Sequence, residues 1–170
     1  MKALVVYESM FGNTQQIAEA VAEGLRKHVD VEVTEVGRAP DDISAELDLL
    51  VVGAPTHAFG MSRASTRADA VKQAPGGTIV STGRGVREWL ETVHPDGVGI
   101  MVAAFDTRVR APLPGSAAHK VARALQRLSF PELADPETFW VKDSTGPLKE
   151  GELERAQRWG SDLGLLVNSR

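Results

Sequence analysis

Lys2-Ala3-Leu4-Val5-Val6-Tyr7-Glu8-Ser9-Met10-Phe11-Gly12-Asn13-Thr14 is the stretch that decides the reading of this chain. Ala3 to Tyr7 form a short apolar run, as a strand covered on both faces requires. From Gln15 to about His28, Ile17, Val21 and Leu25 fall on one face with Ala18 and Ala22 beside them, the spacing of an amphipathic helix. Ser9 to Thr14 lie between the two. A strand that ends in a small, polar, Gly-containing turn and opens into a helix presents free backbone N–H groups at the positive end of the helix dipole. Such a row suits a phosphate. Ser9 and Thr14 add hydroxyl donors, Asn13 adds an amide, and Gly12 lets the backbone come close to the anion. An ordinary Asn/Thr cap after a tight turn is the plainer reading of the same six residues.

The pattern is neither of the common phosphate loops. No Lys follows the Gly, so a nucleoside triphosphate would lack its usual cation, and there is no G-x-G-x-x-G for a pyrophosphate. Hydroxyls, one Gly and no cation suit a terminal monophosphate held by neutral donors. Here the chain resembles the flavodoxin family, whose first loop reads roughly Ser/Thr-x-Thr/Ser-Gly-Asn/x-Thr and holds the phosphate of FMN. Phe11 stands where that family has its middle hydroxyl residue. The resemblance implies FMN as cofactor, with Ser9, Met10, Phe11, Gly12, Asn13 and Thr14 around its phosphate.

The third strand of the chain ends Gly53-Ala54-Pro55-Thr56-His57-Ala58-Phe59-Gly60. This is similar to the family's second flavin loop, which starts Gly-Ala/Ser/Thr-Pro-Thr and continues with an aromatic residue and a Gly. The resemblance implies that Pro55, Thr56, His57, Ala58, Phe59 and Gly60 meet the flavin. Phe59 or His57 would stack on the ring, and Thr56 would bond the ring or the ribityl chain. A carbonyl near Phe59-Gly60 would turn toward N5, a turn that Gly makes inexpensive. The fourth strand ends Phe105-Asp106-Thr107-Arg108-Val109-Arg110. The family's acidic stretch and stacking Tyr are missing there, and Tyr7 is the single Tyr of the chain. At that loop Asp106 is expected to accept from the ring N3–H and Thr107 to donate to O2. Arg108 or Arg110 either brings positive charge to the N1/O2 edge or points to water. His57 is either a proton donor beside the flavin or a packed or solvated imidazole.

Five strand candidates, 2–7, 30–36, 47–53, 98–105 and 138–142, alternate with helical patterns. This predicts an α/β fold. The expected architecture is a three-layer, doubly wound, five-stranded parallel sheet, flavodoxin-like, in the order 2-1-3-4-5. Strand 30–36 alternates Val with polar residues and reads as an edge. Helices are expected at 64–73, 86–93, 116–128 and 151–167, the last with Leu153, Ala156, Gly160, Leu163 and Val167 in register. Asp41 or Asp42 is expected to start one or two helical turns. The segment 55–84 is long for a connection, and its 63–83 part reads equally as a functional loop or a surface insertion. Trp89, Trp140 and Trp159 read as core.

The 170 residues, 42% hydrophobic and 25% charged, suit a single domain over 1–170 with a sizeable core. No cysteine is present, which excludes disulfides and thiolate chemistry, and His28, His57, His94 and His119 have no ligand spacing. The apolar run before Glu8 is too short for a signal peptide, and no run is long enough to span a bilayer. The cytoplasm is the expected compartment. A net charge of −4 argues against a nucleic-acid partner, and is weaker than flavodoxin carriers usually show. The leading expectation is an FMN-binding electron-transfer protein, working with a redox partner protein or a small-molecule acceptor. The alternatives are an FMN-dependent oxidoreductase acting on a quinone or porphyrinogen, and a flavin-free interaction module of the same fold.

Overall fold

The computed structural model describes residues 1–112 and 114–170; Leu113 lies outside the described residues. In chain order the elements are β1 (Lys2–Tyr7), α1 (Asn13–Leu25), β2 (Asp30–Glu35), a 3₁₀ turn (Val36–Arg38), β3 (Asp42–Ile43), β4 (Leu49–Pro55) and α2 (Ala64–Gln73). There follow a 3₁₀ turn (Pro75–Gly77), α3 (Val86–Trp89), β5 (His94–Pro95), β6 (Met101–Val109), α4 (Ala117–Arg127), β7 (Glu137–Val141) and α5 (Glu152–Asn168). The main sheet has five parallel strands in the order β2-β1-β4-β6-β7. With the two short strands set aside, this is the expected order 2-1-3-4-5.

Side-chain alternation divides the core. Leu4 and Val6 of β1 join Leu50 and Val52 of β4, Val102 and Ala104 of β6, Trp89 of α3 and Val121 and Leu125 of α4. Ala3, Val5 and Tyr7 join Leu49, Val51, Ala103 and Phe105 with Ile17, Val21 and Leu25 of α1 and Leu163 of α5. The parallel register Val5–Val51–Ala103 keeps like-facing residues side by side. The continuous apolar runs of β1, β4 and β6 therefore follow from burial on both faces. Between α1 and α5, a Cβ on Gly24 would fall 2.0 Å from Gln157 O, and one on Gly160 would fall 2.1 Å from Val21 O. The two backbones approach that closely because neither position carries a side chain.

Four local expectations are corrected. Residues 39–46 form no helix. Pro40 favours an extended Ala39 (φ −65°, ψ 141°), and the Asp41 carboxylate is held by Arg84 and Thr92 instead of capping a turn. Asp42–Ile43 instead pairs with His94–Pro95 as a two-stranded parallel sheet. The helix expected over 86–93 stops at Trp89, after which Glu91 N and Thr92 N bond three residues back. Leu153 of α5 is exposed, and the buried place goes to Glu152, which accepts from Trp140 N at 2.7 Å and from Arg155. Trp140 is only half-buried, with the Arg110 guanidinium 4.8 Å from its ring centroid, whereas Trp89 is fully buried and donates its indole N–H to Pro40 O. No helix among the described residues is long and apolar enough to cross a membrane.

Candidate functional site

The parallel register Tyr7–Gly53–Phe105 points β1, β4 and β6 the same way, so the three loops that follow them meet at one edge of the sheet. Between them lies a cavity of about 470 Å³. That is within the range of roughly 300–1,000 Å³ typical of small-molecule sites, and its position at strand C-termini is where open α/β sheets bind ligands.

The first wall is the turn into α1. Ser9, Met10, Phe11, Asn13 and Thr14 line the cavity. Gly12 is the residue before the helix, at φ 92°, and its N–H donates to Ser9 Oγ at 3.1 Å. No side chain among the described residues caps α1. The N–H groups of Asn13, Thr14 and Gln15 have no acceptor among the described residues, so the first turn leaves its donors open, as a helix start does when nothing caps it. The Thr14 hydroxyl pairs with that of Thr107 at 2.7 Å, and Asn13 Nδ2 donates to Thr145 O at 3.3 Å. Ser9 and Met10 are held from behind. Ser81 N donates to Ser9 O at 2.8 Å, Val80 N donates to Met10 O at 2.9 Å, and Ser9 N donates to Ser81 Oγ at 3.0 Å.

The second wall follows β4. Pro55, Thr56, His57, Ala58 and Phe59 line the cavity. His57 and Gly60 exchange backbone hydrogen bonds of 2.7 and 2.9 Å across a tight turn whose two central residues, Ala58 (φ 42°) and Phe59 (φ 72°), are left-handed. For a bulky residue this is an outlier, and such strain gathers at binding sites. The sequence suggested Gly60 as the flexible point of this turn, but the strain sits on its two predecessors. Phe59 is 51% exposed, an aromatic face held at the mouth rather than buried in the core. Gly115 closes over it: a Cβ there would stand 2.3 Å from Phe59 O.

The third wall follows β6 and holds Thr107, Arg108, Val109, Ala111, Pro114 and Gly115. Gly12, Gly60, Phe105 and Asp106 do not line the cavity. Phe105 is fully buried, edge-on to Phe139 and Trp159. Asp106 ties loops together. Its Oδ2 accepts from Thr56 Oγ1 (2.8 Å), Ser116 Oγ (2.6 Å) and Ala118 N (3.2 Å), at the start of α4, where the helix dipole favours a carboxylate. Its Oδ1 is buried without a partner among the described residues. Arg108 donates to Gly115 O and, like Arg110, lies over the Trp140 ring.

Sequence reasoning missed α2 as a wall: Thr66, Asp69, Ala70 and Gln73 all face the cavity. The expected helix span 64–73 contained the signal, but nothing local says where a helix docks. A second omission is Glu8, fully buried behind the first loop. Its carboxylate accepts from Ser62 Oγ and, at 2.6 Å, from Val86 N, while Arg67 bridges Ser62 and Glu88. Burial pushes the Glu8 carboxyl above its ordinary range, against the hydrogen bonds from Ser62 and Val86. His57 lies below the ordinary imidazole range because it is buried and, secondarily, because Arg67 is near. No cluster of metal-ligating side chains is found among the described residues.

An α/β protein with a cofactor-sized cavity at the C-terminal edge of a parallel sheet is the class these features define. Residues 5–78 match the family model described as Flavodoxin. A flavodoxin from the domain Archaea superposes with a TM-score of 0.68 at 24% identity, covering 99% of each chain. Flavodoxin 2 from Bacillus cereus does so with a TM-score of 0.64 at 21% identity, again covering 99% of each. A segment of 47 residues is 47% identical to an NAD(P)H dehydrogenase (quinone) from Syntrophobacter fumaroxidans, which is 28% of this chain but only 22% of that relative's length. Residues 5–78 thus match a flavodoxin family model, and the whole chain shares the fold of the solved flavodoxins.

Proposed function

We propose that the chain is a single flavodoxin-like domain over 1–170, three-layered and doubly wound, that binds FMN and passes electrons to a redox partner protein or a small-molecule acceptor. The observation that carries this reading is the uncapped first turn of α1, whose open N–H groups at Asn13, Thr14 and Gln15 adjoin a 470 Å³ cavity. The fit to FMN is chemical. A helix start concentrates roughly half a positive charge, enough to favour a phosphate without a lysine. Ser9, Asn13 and Thr14 would hold the phosphate, Thr56 and Thr107 the polar edge of the ring, and Phe59 its flat face. Phe11 gives the first loop one hydroxyl fewer than the family pattern, and the backbone donors remain. When bound, FMN supplies one- and two-electron redox chemistry; the chain supplies the pocket, the orientation and the exclusion of water.

A second reading, an FMN-dependent oxidoreductase acting on a quinone, is favoured by one observation: His57 places an imidazole on the cavity wall, where a carrier needs none. The partial match to a quinone dehydrogenase points the same way. The chain alone, purified and mixed with FMN, is then desalted and its visible spectrum recorded. A retained flavin with shifted, structured bands supports the reading. A colourless protein turns the function toward a flavin-free interaction module. Oxidation of NAD(P)H by a quinone without any partner protein favours the second reading over the first.

A further inference from the structure

We infer that His57, with its tautomer set by Thr66, is the proton-transfer group for a quinone-type acceptor that meets the flavin in this cavity. The inference rests on the FMN reading. The contacts of one hydroxyl favour one tautomer. Thr66 Oγ1 lies 2.9 Å from Arg63 N, which donates to it, and 3.1 Å from Arg63 O, to which it donates its own hydrogen. Only a lone pair then remains for His57 Nδ1, 3.2 Å away. This arrangement points to the hydrogen on Nδ1, with the lone pair left on Nε2. Nε2 has no partner among the described residues and is not sealed from solvent, while the ring itself lines the cavity.

A quinone needs two electrons and two protons to become a hydroquinone. Bound, reduced FMN would supply the hydride, and protonated His57 would supply the proton from Nε2. Two carbonyls become hydroxyls, the flavin is left oxidised, and the imidazole is left neutral with Nδ1–H still on Thr66. Water restores the proton. Burial, then Arg67, disfavours the imidazolium, so a proton is released readily and the step slows as pH rises. Arg67 of α2 faces the ring, Asp69 of α2 and Arg108 at the end of β6 line the same cavity, and Lys120 of α4 lies against Gly60.

The test has two readouts on the full chain. First, ¹⁵N-histidine spectra of the flavin-free protein, with the signal assigned through His57→Gln, should show the hydrogen on Nδ1. Thr66→Val should shift it toward Nε2, and Thr66→Ser should restore it. Second, FMN-loaded protein is photoreduced and oxidised either by 1,4-benzoquinone, which takes protons, or by hexacyanoferrate(III), which takes an electron alone. The chain has no cysteine for the quinone to alkylate. The ratio of the two rates should fall by about tenfold or more in His57→Gln, in line with general acid catalysis. A hydrogen on Nε2 in the native chain, or a smaller fall in the ratio, overturns the inference while FMN binding stands. A chain that takes up no FMN overturns the flavin reading and the acceptor claim together.

Discussion

Thr14 Oγ1 and Thr107 Oγ1 lie 2.7 Å apart, both buried, and tie the first turn of α1 to the end of β6 on the cavity wall. Two hydroxyls carry two protons, and one suffices for the bond between them. The other is free to donate into the cavity, toward the phosphate of the proposed cofactor. Thr14→Val should therefore weaken FMN about tenfold more than riboflavin, since one hydrogen bond to a charged group is worth roughly 1.5–3 kcal/mol. Fluorescence titration with the two flavins checks this; equal losses would contradict the assignment.

The Glu8 cluster makes stability depend on pH. Burial raises the folded-state pKa of Glu8 above the ordinary value of 4.5. Its contribution is therefore complete below that value and is lost as pH rises through the folded-state pKa. Glu8→Gln keeps an acceptor for Val86 N and removes the buried charge. Its melting temperature should match or exceed that of the native chain above the folded-state pKa, with a flatter pH profile. Glu8→Ala leaves the Val86 N–H and Ser62 hydroxyl without their acceptor, at a cost of about 1–3 kcal/mol at every pH. Thermal melts of the three proteins across the acid range decide the matter.

Ala58 and Phe59 share the strain of one turn but not one role. A left-handed residue with a Cβ costs roughly 1–2 kcal/mol, partly offset by the extra chain entropy of Gly in the unfolded state. Ala58→Gly and Phe59→Gly should both hold or raise stability by up to about 1 kcal/mol. Only Phe59→Gly should weaken riboflavin, because only Phe59 offers a face to the ring. Parallel denaturant titrations and flavin titrations separate the two effects.

Gly115 has a different burden. At its φ of 109° an added Cβ would stand only 2.3 Å from Phe59 O, which leaves no room for alanine because the obstacle is backbone. Gly115→Ala should cost about 1–3 kcal/mol and displace the 57–60 turn, lowering affinity for FMN and riboflavin alike. A change in stability with unaltered affinity for both would detach this contact from the site.

The main sheet was legible because burial on both faces leaves continuous apolar runs at β1, β4 and β6, and because β2 alternates as an edge does. The two-residue strands β3 and β5 were not, since two residues carry no periodicity. The loops at Ser9–Thr14 and Pro55–Phe59 were legible from their Gly, Pro and hydroxyl content. The wall contributed by α2 was not, because its docking depends on Met10 meeting Ala70, Ala74 and Ile79. Asp106 illustrates a further limit. An acid at a strand end reads as a ligand acceptor, and only the position of Ser116 and Ala118 reveals that the fold already occupies one of its two oxygens.

The central claim is that a flavin phosphate sits on the open donors of α1. The most direct measurement is the amide ¹H–¹⁵N spectrum of the full chain titrated with FMN and, separately, with riboflavin. The account predicts that the Asn13, Thr14 and Gln15 amides move strongly with FMN and little with riboflavin, while residues of the 57–60 turn move with both. Amides at 13–15 that stay unmoved as FMN binds would contradict it.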